Sequence, residues 1–148
     1  QVTHVPYRGS APAIQDLVGG RVDYMCEISS TALPHIQGGT VKALATLTAN
    51  RASVFPDLPT AQEQGLQGFE AYTWNAFFFH KDTPPAIVER LRAVTVEAMD
   101  APEVRERLQG LGAIMATPER RGPAYLAQLV KSEIEKWAGP IRASGVSQ

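Results

Sequence analysis

The residues best placed for chemistry in this chain are the small residues Gly9-Ser10-Ala11. An apolar run ends just before them at Tyr7, and apolar residues at helical spacing follow from Ala13. Ser10 is a favourable N-cap, so the pattern predicts a helix that begins there. The first-turn amides of a helix have no partner within the helix, and its dipole favours negative charge beside them. The segment therefore indicates either an ordinary capped helix or a loop that binds an anion.

A second segment of the same kind lies further along the chain, at Glu27–Ser30. Its serines, with Thr31, are N-cap candidates for a short helix over Ala32–Gln37. In parallel α/β proteins, ligands bind beyond the carboxyl ends of the strands. Two such loops in consecutive strand–helix units favour a binding site for a small ligand, with two merely capped helices as the alternative.

Other candidate groups do not form a recognisable reactive centre. Cys26 has no nucleophile motif around it and is predicted to be a small buried thiol. Asp23 and Glu27 lie four residues apart, and nothing indicates that they act as an acid/base pair. The histidines, which are His4, His35 and His80, lack metal-ligand spacing. The sequence therefore predicts a protein that is not an enzyme and uses no cofactor or metal.

Composition sets the class of protein. The chain has 148 residues, 44% of them hydrophobic and 20% charged, which is typical of a globular domain. A net charge of −1 gives no support for nucleic-acid binding, and the sequence has no cluster of Lys and Arg with interleaved aromatic residues. No apolar run approaches the roughly 20 residues of a membrane span. The chain begins without a secretory leader, and we expect it to be part of a longer protein.

Strand and helix signals alternate in the first part of the chain. Val2–Tyr7, Val22–Cys26 and Val41–Thr48 are predicted to be neighbouring strands of one parallel sheet. Helices between them should pack on the faces of that sheet through Leu17, Val18, Leu33 and Ile36. The glycine pairs Gly19-Gly20 and Gly38-Gly39 should end these helices.

The second part of the chain is predicted to be helical. A β-favouring run, Phe69–Phe79, marks the boundary, and helices follow at Thr83-Pro84, Pro102 and Thr117-Pro118. The last helix carries one apolar stripe, made of Leu126, Leu129, Val130, Ile134 and Trp137. We expect this stripe to be exposed unless a partner covers it.

Several motifs resemble those of one known family. They are Thr3-His4-Val5-Pro6-Tyr7-Arg8-Gly9, Asp16-Leu17-Val18-Gly19-Gly20-Arg21-Val22-Asp23, Ala32-Leu33-Pro34-His35-Ile36, Phe55-Pro56-Asp57-Leu58-Pro59-Thr60 with Glu63 and Gly65, and Pro102-Glu103-Val104-Arg105. In this order, over nearly the whole chain, they resemble the receptors of tripartite tricarboxylate transporters, often called Bug-type receptors.

The resemblance implies an α/β fold of the periplasmic-binding-protein type (type II). Residues 1–68 would form a βα ligand-binding lobe, and residues 69–148 would be the return strand and the C-terminal helices of the other lobe. It also implies a periplasmic receptor that closes on a small organic carboxylate without transforming it. Its other partners would be membrane transporter subunits and not nucleic acid.

The resemblance further implies which residues line the ligand cleft. They are Tyr7, Gly9, Ser10, Ala11, Glu27, Ser29, Ser30, Trp74 and Asn75. Receptors of this family are about twice this long, so the chain would be a C-terminal half that self-associates through the surface of the absent lobe. Glu27 and the run Phe77–Lys81 depart from the family pattern and bear on the choice of ligand. Two alternatives are a stand-alone α/β domain with an enzymatic or regulatory role, and a purely structural remnant.

Overall fold

The structure, a computed structural model, describes residues 2–145, and its regular elements are helices. In chain order they are α1 (Ser10–Val18), α2 (Ser29–Gln37), α3 (Pro85–Asp100), α4 (Pro102–Gly110), a 3-10 turn (Pro118–Arg120) and α5 (Pro123–Ser144). Helices α3, α4 and α5 each begin with a proline. A proline is suited to the first helical position because the amide that it lacks would have no helical partner there.

The prediction of a three-stranded sheet is wrong for the described residues. None of Val2–Tyr7, Val22–Cys26 and Val41–Thr48 forms a strand, and the pairing seen is one parallel bridge between Thr46 and Thr60. An extended segment becomes a strand only when a neighbouring segment pairs with its amides and carbonyls. Apolar alternation identifies the segment but does not supply that neighbour.

The described chain divides into two compact units. The first holds the residues up to Asn75 together with Pro102–Ile114, and the second holds Ala76–Ala101 and the residues from Met115 onward. The chain passes between the units three times, and the first of these changes falls inside the β-favouring run Phe69–Phe79. In the first unit the buried residues are Ala13 and Ile14 of α1, with Thr60 and Ala61 beside the bridge.

Glycines end three helices of the first unit in the same way. The amide of Arg21 donates to the Asp16 carbonyl at 2.8 Å, and α2 and α4 repeat this bond with Thr40 to His35 and Ala113 to Leu108. The residue before each donor has positive φ, as a Schellman motif requires: Gly20 (+70°), Gly39 (+66°) and Gly112 (+82°). The helix ends predicted at Gly19-Gly20 and Gly38-Gly39 are confirmed.

A short turn beside the bridge is closed by reciprocal hydrogen bonds. The Thr60 amide donates to Glu63 Oε2 at 2.7 Å, and the Glu63 amide donates to Thr60 Oγ1 at 3.1 Å. Arg51 Nε adds bonds of 3.2 and 3.0 Å to the same carboxylate. The Arg51 guanidinium and then the Thr60 amide hold the pKa of Glu63 below its ordinary value. Together these hydrogen bonds fix the segment that carries the buried Thr60.

In the second unit, the last helix begins later than predicted. Thr117-Pro118 starts only the 3-10 turn, and α5 begins at Pro123. A continuous helix would bring the Pro123 ring against the carbonyl of Glu119, four residues earlier, so the helix must restart. Arg121 holds this junction, donating to both Asp100 carboxylate oxygens at 2.9 and 2.8 Å and to the Ala116 carbonyl at 2.8 Å.

The apolar stripe of α5 is only partly exposed. Ile134 is 66% exposed, as expected, whereas Leu126, Leu129, Val130 and Trp137 are half-buried. Phe77 and Phe78 of the same unit are also exposed, at 73% and 67%. The second unit thus presents large apolar side chains to water.

Candidate functional site

The first predicted loop turns at Gly9, and α1 starts one residue earlier than its predicted cap implies. Gly9 is the N-cap with φ 109° and ψ 174°, Ser10 is the first helical residue, and no side chain caps the helix. The prediction of Ser10 as N-cap is therefore wrong. This backbone region is almost closed to residues with a Cβ, so the glycine takes the turn. The amides of Ser10 and Ala11 have no helical partner, and Pro12 has no amide to offer.

Tyr7 lies beside α1 and is tied to it. Its hydroxyl donates to Asp16 Oδ2 at 2.8 Å, while Arg21 Nη1 donates to Asp16 Oδ1 at 2.5 Å. The Tyr7 hydroxyl and then Arg21 hold the pKa of Asp16 below its ordinary value, and the bond to Asp16 raises the pKa of Tyr7. The chain before Gly9 is thereby fixed to the last turn of the helix that follows it.

The second loop also starts its helix earlier than predicted. Helix α2 begins at Ser29 with Ile28 as N-cap, so the serines occupy the first turn instead of capping a helix over Ala32–Gln37. The amides of Thr31 and Ala32 donate to the Ile28 carbonyl at 3.1 and 3.0 Å. Those of Ser29 and Ser30 precede these bonds and have no helical partner.

Glu27 is engaged by its own loop. Its Oε1 accepts a hydrogen bond of 2.8 Å from the Ile28 amide, and the residue is half-buried. The carboxylate therefore lies next to the N-terminus of α2, where a negative charge is favoured.

Gly112, in the terminal turn of α4, packs against the second loop. A Cβ at Gly112 would lie 2.8 Å from Ser29 Cβ and 3.0 Å from Val54 Cγ2. Contacts this short leave no room for a side chain at position 112, so the glycine allows Ser29 its present position.

The remaining predicted site residues lie at the end of the same unit. Trp74 is half-buried and Asn75 is exposed, and the segment before them is held by an Ala71 amide bond to the Leu47 carbonyl at 2.9 Å. All nine predicted site residues thus belong to the first unit.

The structure also shows where the residues without a predicted site role lie. Cys26 is exposed, so the prediction of a buried core thiol is wrong; the segment that carries it has no sheet neighbour to cover it. Within residues 2–145 no three His, Cys, Asp or Glu side chains group to hold a metal ion. Over the same range, every helix is too short or too polar to cross a membrane.

Sequence reasoning missed three residues that shape the loops: Asp16, Arg21 and Gly112. A signal for the first two was present, because a helix that ends in a Schellman motif brings the residue at C3 close to the residue at C″. The stop at Gly19-Gly20 therefore juxtaposes Asp16 and Arg21. Nothing in the sequence relates Gly112 to Ser29, which lies far away along the chain.

The chain is similar to known proteins of one receptor family. The model of the tripartite tricarboxylate transporter family receptor matches residues 1–146. BugT of Bordetella pertussis is 37% identical over 147 residues, covering 97% of this chain and 43% of BugT. The chain spans only 40–43% of the length of BugT and of two further curated relatives, from Agrobacterium vitis and Pseudomonas sp. (strain P51).

Solved structures of similar proteins share the fold. The periplasmic binding protein BugD is 36% identical with a TM-score of 0.85, covering 97% of this chain and 48% of BugD. MatC from Rhodopseudomonas palustris, described with bound malate, is 46% identical with a TM-score of 0.82, covering 90% of this chain and 45% of MatC. The helices and turns described above are therefore those of part of a periplasmic binding protein. The chain belongs to the tripartite tricarboxylate transporter receptor family, to which the Bug proteins are related.

Proposed function

We propose that this chain is the C-terminal half of a periplasmic solute receptor that binds a small organic carboxylate for uptake. The receptor holds its ligand without transforming it, needs no cofactor, and delivers the ligand to the membrane subunits of a tripartite tricarboxylate transporter. Membership of a receptor family and the malate bound by MatC support this proposal.

The observation that carries the proposal is the pair of helix starts in the first unit. Neither α1 nor α2 has an acidic residue in its first turn, and both leave amides without helical partners beside serine hydroxyls. Such amides and the helix dipole favour a carboxylate. We place Gly9, Ser10 and Ala11 in one half of the site and Ser29 and Ser30 in the other, with Trp74 and Asn75 at the cleft edge.

The fold of the whole receptor follows from the same proposal. Residues 1–68 form the βα lobe of a type II binding protein, and residues 69–148 contain the return strand and the helices of the other lobe. The extended segments Val2–Tyr7 and Val41–Thr48 pair with strands from the remainder of the protein. The partly exposed α5 stripe packs on that remainder as well.

Glu27 adjusts the choice of ligand in this proposal. Its carboxylate stands beside the α2 N-terminus, where it repels a second ligand carboxylate or accepts from a hydroxyl or amino group. The site therefore favours a ligand with a single carboxylate and with a neutral or basic substituent facing Glu27.

Ser10→Ala in the full-length protein that carries these residues tests the site. Because Ser10 makes no cap bond, its removal should leave the melting temperature nearly unchanged. Loss of a hydrogen bond to a charged ligand should weaken malate binding by about 1.5–3 kcal/mol in calorimetry. Ser53→Ala, at an exposed position of the same unit, is the matched control. Unchanged malate affinity in Ser10→Ala would reject the proposed role of this loop.

Glu27→Gln tests the ligand preference separately. The variant should bind malate, a dicarboxylate, more tightly than the wild type and leave lactate, a monocarboxylate, nearly unaffected. An equal change for both ligands would show that Glu27 does not discriminate by charge. Wild-type protein that binds neither acid would refute the receptor proposal itself.

A further inference from the structure

The Tyr7 hydroxyl is already occupied in the structure. It donates to Asp16 Oδ2 at 2.8 Å, and the other oxygen of that carboxylate accepts from Arg21. A phenol has one proton to donate, so the same hydroxyl does not also donate to a ligand. Tyr7 and Asp16 are both half-buried, and the Arg21 side chain is 73% exposed.

The positions of these three residues link the two ends of α1. Tyr7 precedes the N-cap Gly9, whereas Asp16 and Arg21 belong to the Schellman motif at the C-terminal end. The Gly9 backbone, at φ 109°, turns the chain so that Tyr7 returns alongside the helix. The hydrogen bond to Asp16 then holds the chain in that turn, which sets the direction of the amides that follow.

We infer that Tyr7 is a positioning residue of the carboxylate loop, acting through Asp16 and not through a bond from its hydroxyl to the ligand. This inference rests on the proposed function, and it adds Asp16 and Arg21 to the residues on which affinity depends. Ligand selectivity does not pass through Tyr7, since the same amides are misdirected for every carboxylate when the hydrogen bond is lost.

A double-mutant cycle in the full-length protein tests the inference, with malate and lactate as probes. Tyr7→Phe and Asp16→Ala should each weaken both acids by a similar factor, about three- to tenfold for the loss of one positioning hydrogen bond. The double variant should be no weaker than the weaker single variant, because both changes remove the same bond. Arg21→Gln leaves the Tyr7 bond in place and should have the smallest effect, since an exposed ion pair is screened by water.

Tyr24→Phe is the matched control, a tyrosine exposed in the same unit, and should bind as the wild type does. Circular dichroism and melting curves establish that each variant is folded at the binding temperature. If Asp16→Ala does not fold, the inference rests on Tyr7→Phe, which must weaken malate and lactate by the same factor.

Two outcomes overturn the inference while the receptor function stands. Weaker binding in Tyr7→Phe with wild-type affinity in Asp16→Ala would show that the hydroxyl contacts the ligand directly. Lower melting temperatures with unchanged affinities in both would show that the bond serves stability alone. A wild-type protein that binds neither acid refutes the proposed function first, and the inference with it.

Discussion

At position 9 a single glycine meets a conformational demand that other residues satisfy poorly. Its φ of 109° and ψ of 174° lie in a region populated almost only by glycine, yet a Cβ at this position would meet nothing within 4 Å. The requirement for glycine therefore comes from the backbone and not from crowding. The cost of the backbone conformation at position 9 can therefore be measured without a contribution from steric crowding.

Gly9→Ala should lower the free energy of unfolding by about 1–3 kcal/mol, the usual cost of holding a residue with a Cβ in such a region. Gly122→Ala is the matched control: Gly122 is also a helix N-cap with open space around it, but its φ of −132° suits any residue. Urea denaturation of both variants measures the difference. Equal destabilisation would show that the Gly9 backbone relaxes without cost.

Residue types near Gly9 could be predicted from the sequence, but their roles only partly. The sequence placed a glycine and a serine at a helix start, and preference statistics favoured Ser10 as the cap. The turn geometry decides between the two, since only Gly9 can adopt the positive φ that α1 requires. Tyr7 was predicted in the loop, whereas its bond to Asp16 depends on a chain reversal that no local pattern specifies.

Among the elements, helix ends were the most predictable feature. Glycine at C′ costs little in the left-handed conformation, so Gly19-Gly20 and Gly38-Gly39 mark stops that the structure shows. Strands were the least predictable. A helix satisfies its own backbone, whereas Val22–Cys26 needs a second segment at the right distance, and the described residues supply none.

Gly112→Ala should be more damaging than the same change at Gly39. Both glycines occupy the C′ position of a Schellman motif with positive φ, so both variants bear a similar backbone cost. Only at Gly112 would the new Cβ press on Ser29 and Val54, whereas open space surrounds Gly39. Overpacking of this kind adds about 1–3 kcal/mol.

Thermal or urea unfolding of the two variants measures that additional cost. Ser29→Gly in the Gly112→Ala background should recover part of the lost stability, because it removes the atom that the new Cβ meets first. If the two single variants are equally stable, the α4 end does not fix the start of α2.

For the molecule as a whole, acid should be destabilising in both units. The pKa values of four carboxyl groups are held below their ordinary values, chiefly by a hydrogen-bonded side chain in each case: Asp16, Glu63, Glu89 and Glu119. Below about pH 4.5 the unfolded chain binds more protons than the folded chain, so the free energy of unfolding decreases as the pH is lowered. The contribution is present above the unfolded pKa and is lost as the pH drops through the folded value.

Melting temperatures recorded between about pH 7 and about pH 3 measure this dependence. Glu63→Gln should make the melting temperature less dependent on pH at low pH, because the glutamine paired with Arg51 does not bind a proton. Glu106→Gln, at an exposed position of α4, should leave that dependence as in the wild type. A wild-type melting temperature independent of pH would contradict the ion pairs as described.

The exposed apolar residues of the second unit should make the 148-residue chain self-associate. Large bare apolar patches are rare on soluble monomers, and Phe77, Phe78 and Ile134 are each about two-thirds exposed or more. Light scattering should give a mass above that of the 16.0 kDa monomer, and this mass should decrease on dilution. Phe77→Ser with Phe78→Ser should shift the chain toward monomer, whereas Lys81→Ser should not. A clean monomer at every concentration would contradict this expectation.

The contact between Gly112 and Ser29 also constrains when the first unit can be completed. The two residues are separated by about 80 positions, and a ribosome adds about 5–20 residues per second. The start of α2 is therefore made about 4–16 s before the turn that packs on it. Late in that interval the nascent chain contains α3 in full while the Ser29 side of the first unit is still uncovered. Synthesis paused before Pro102 would leave this face accessible to proteases and chaperones, although every residue of the α1 and α2 loops had already been made.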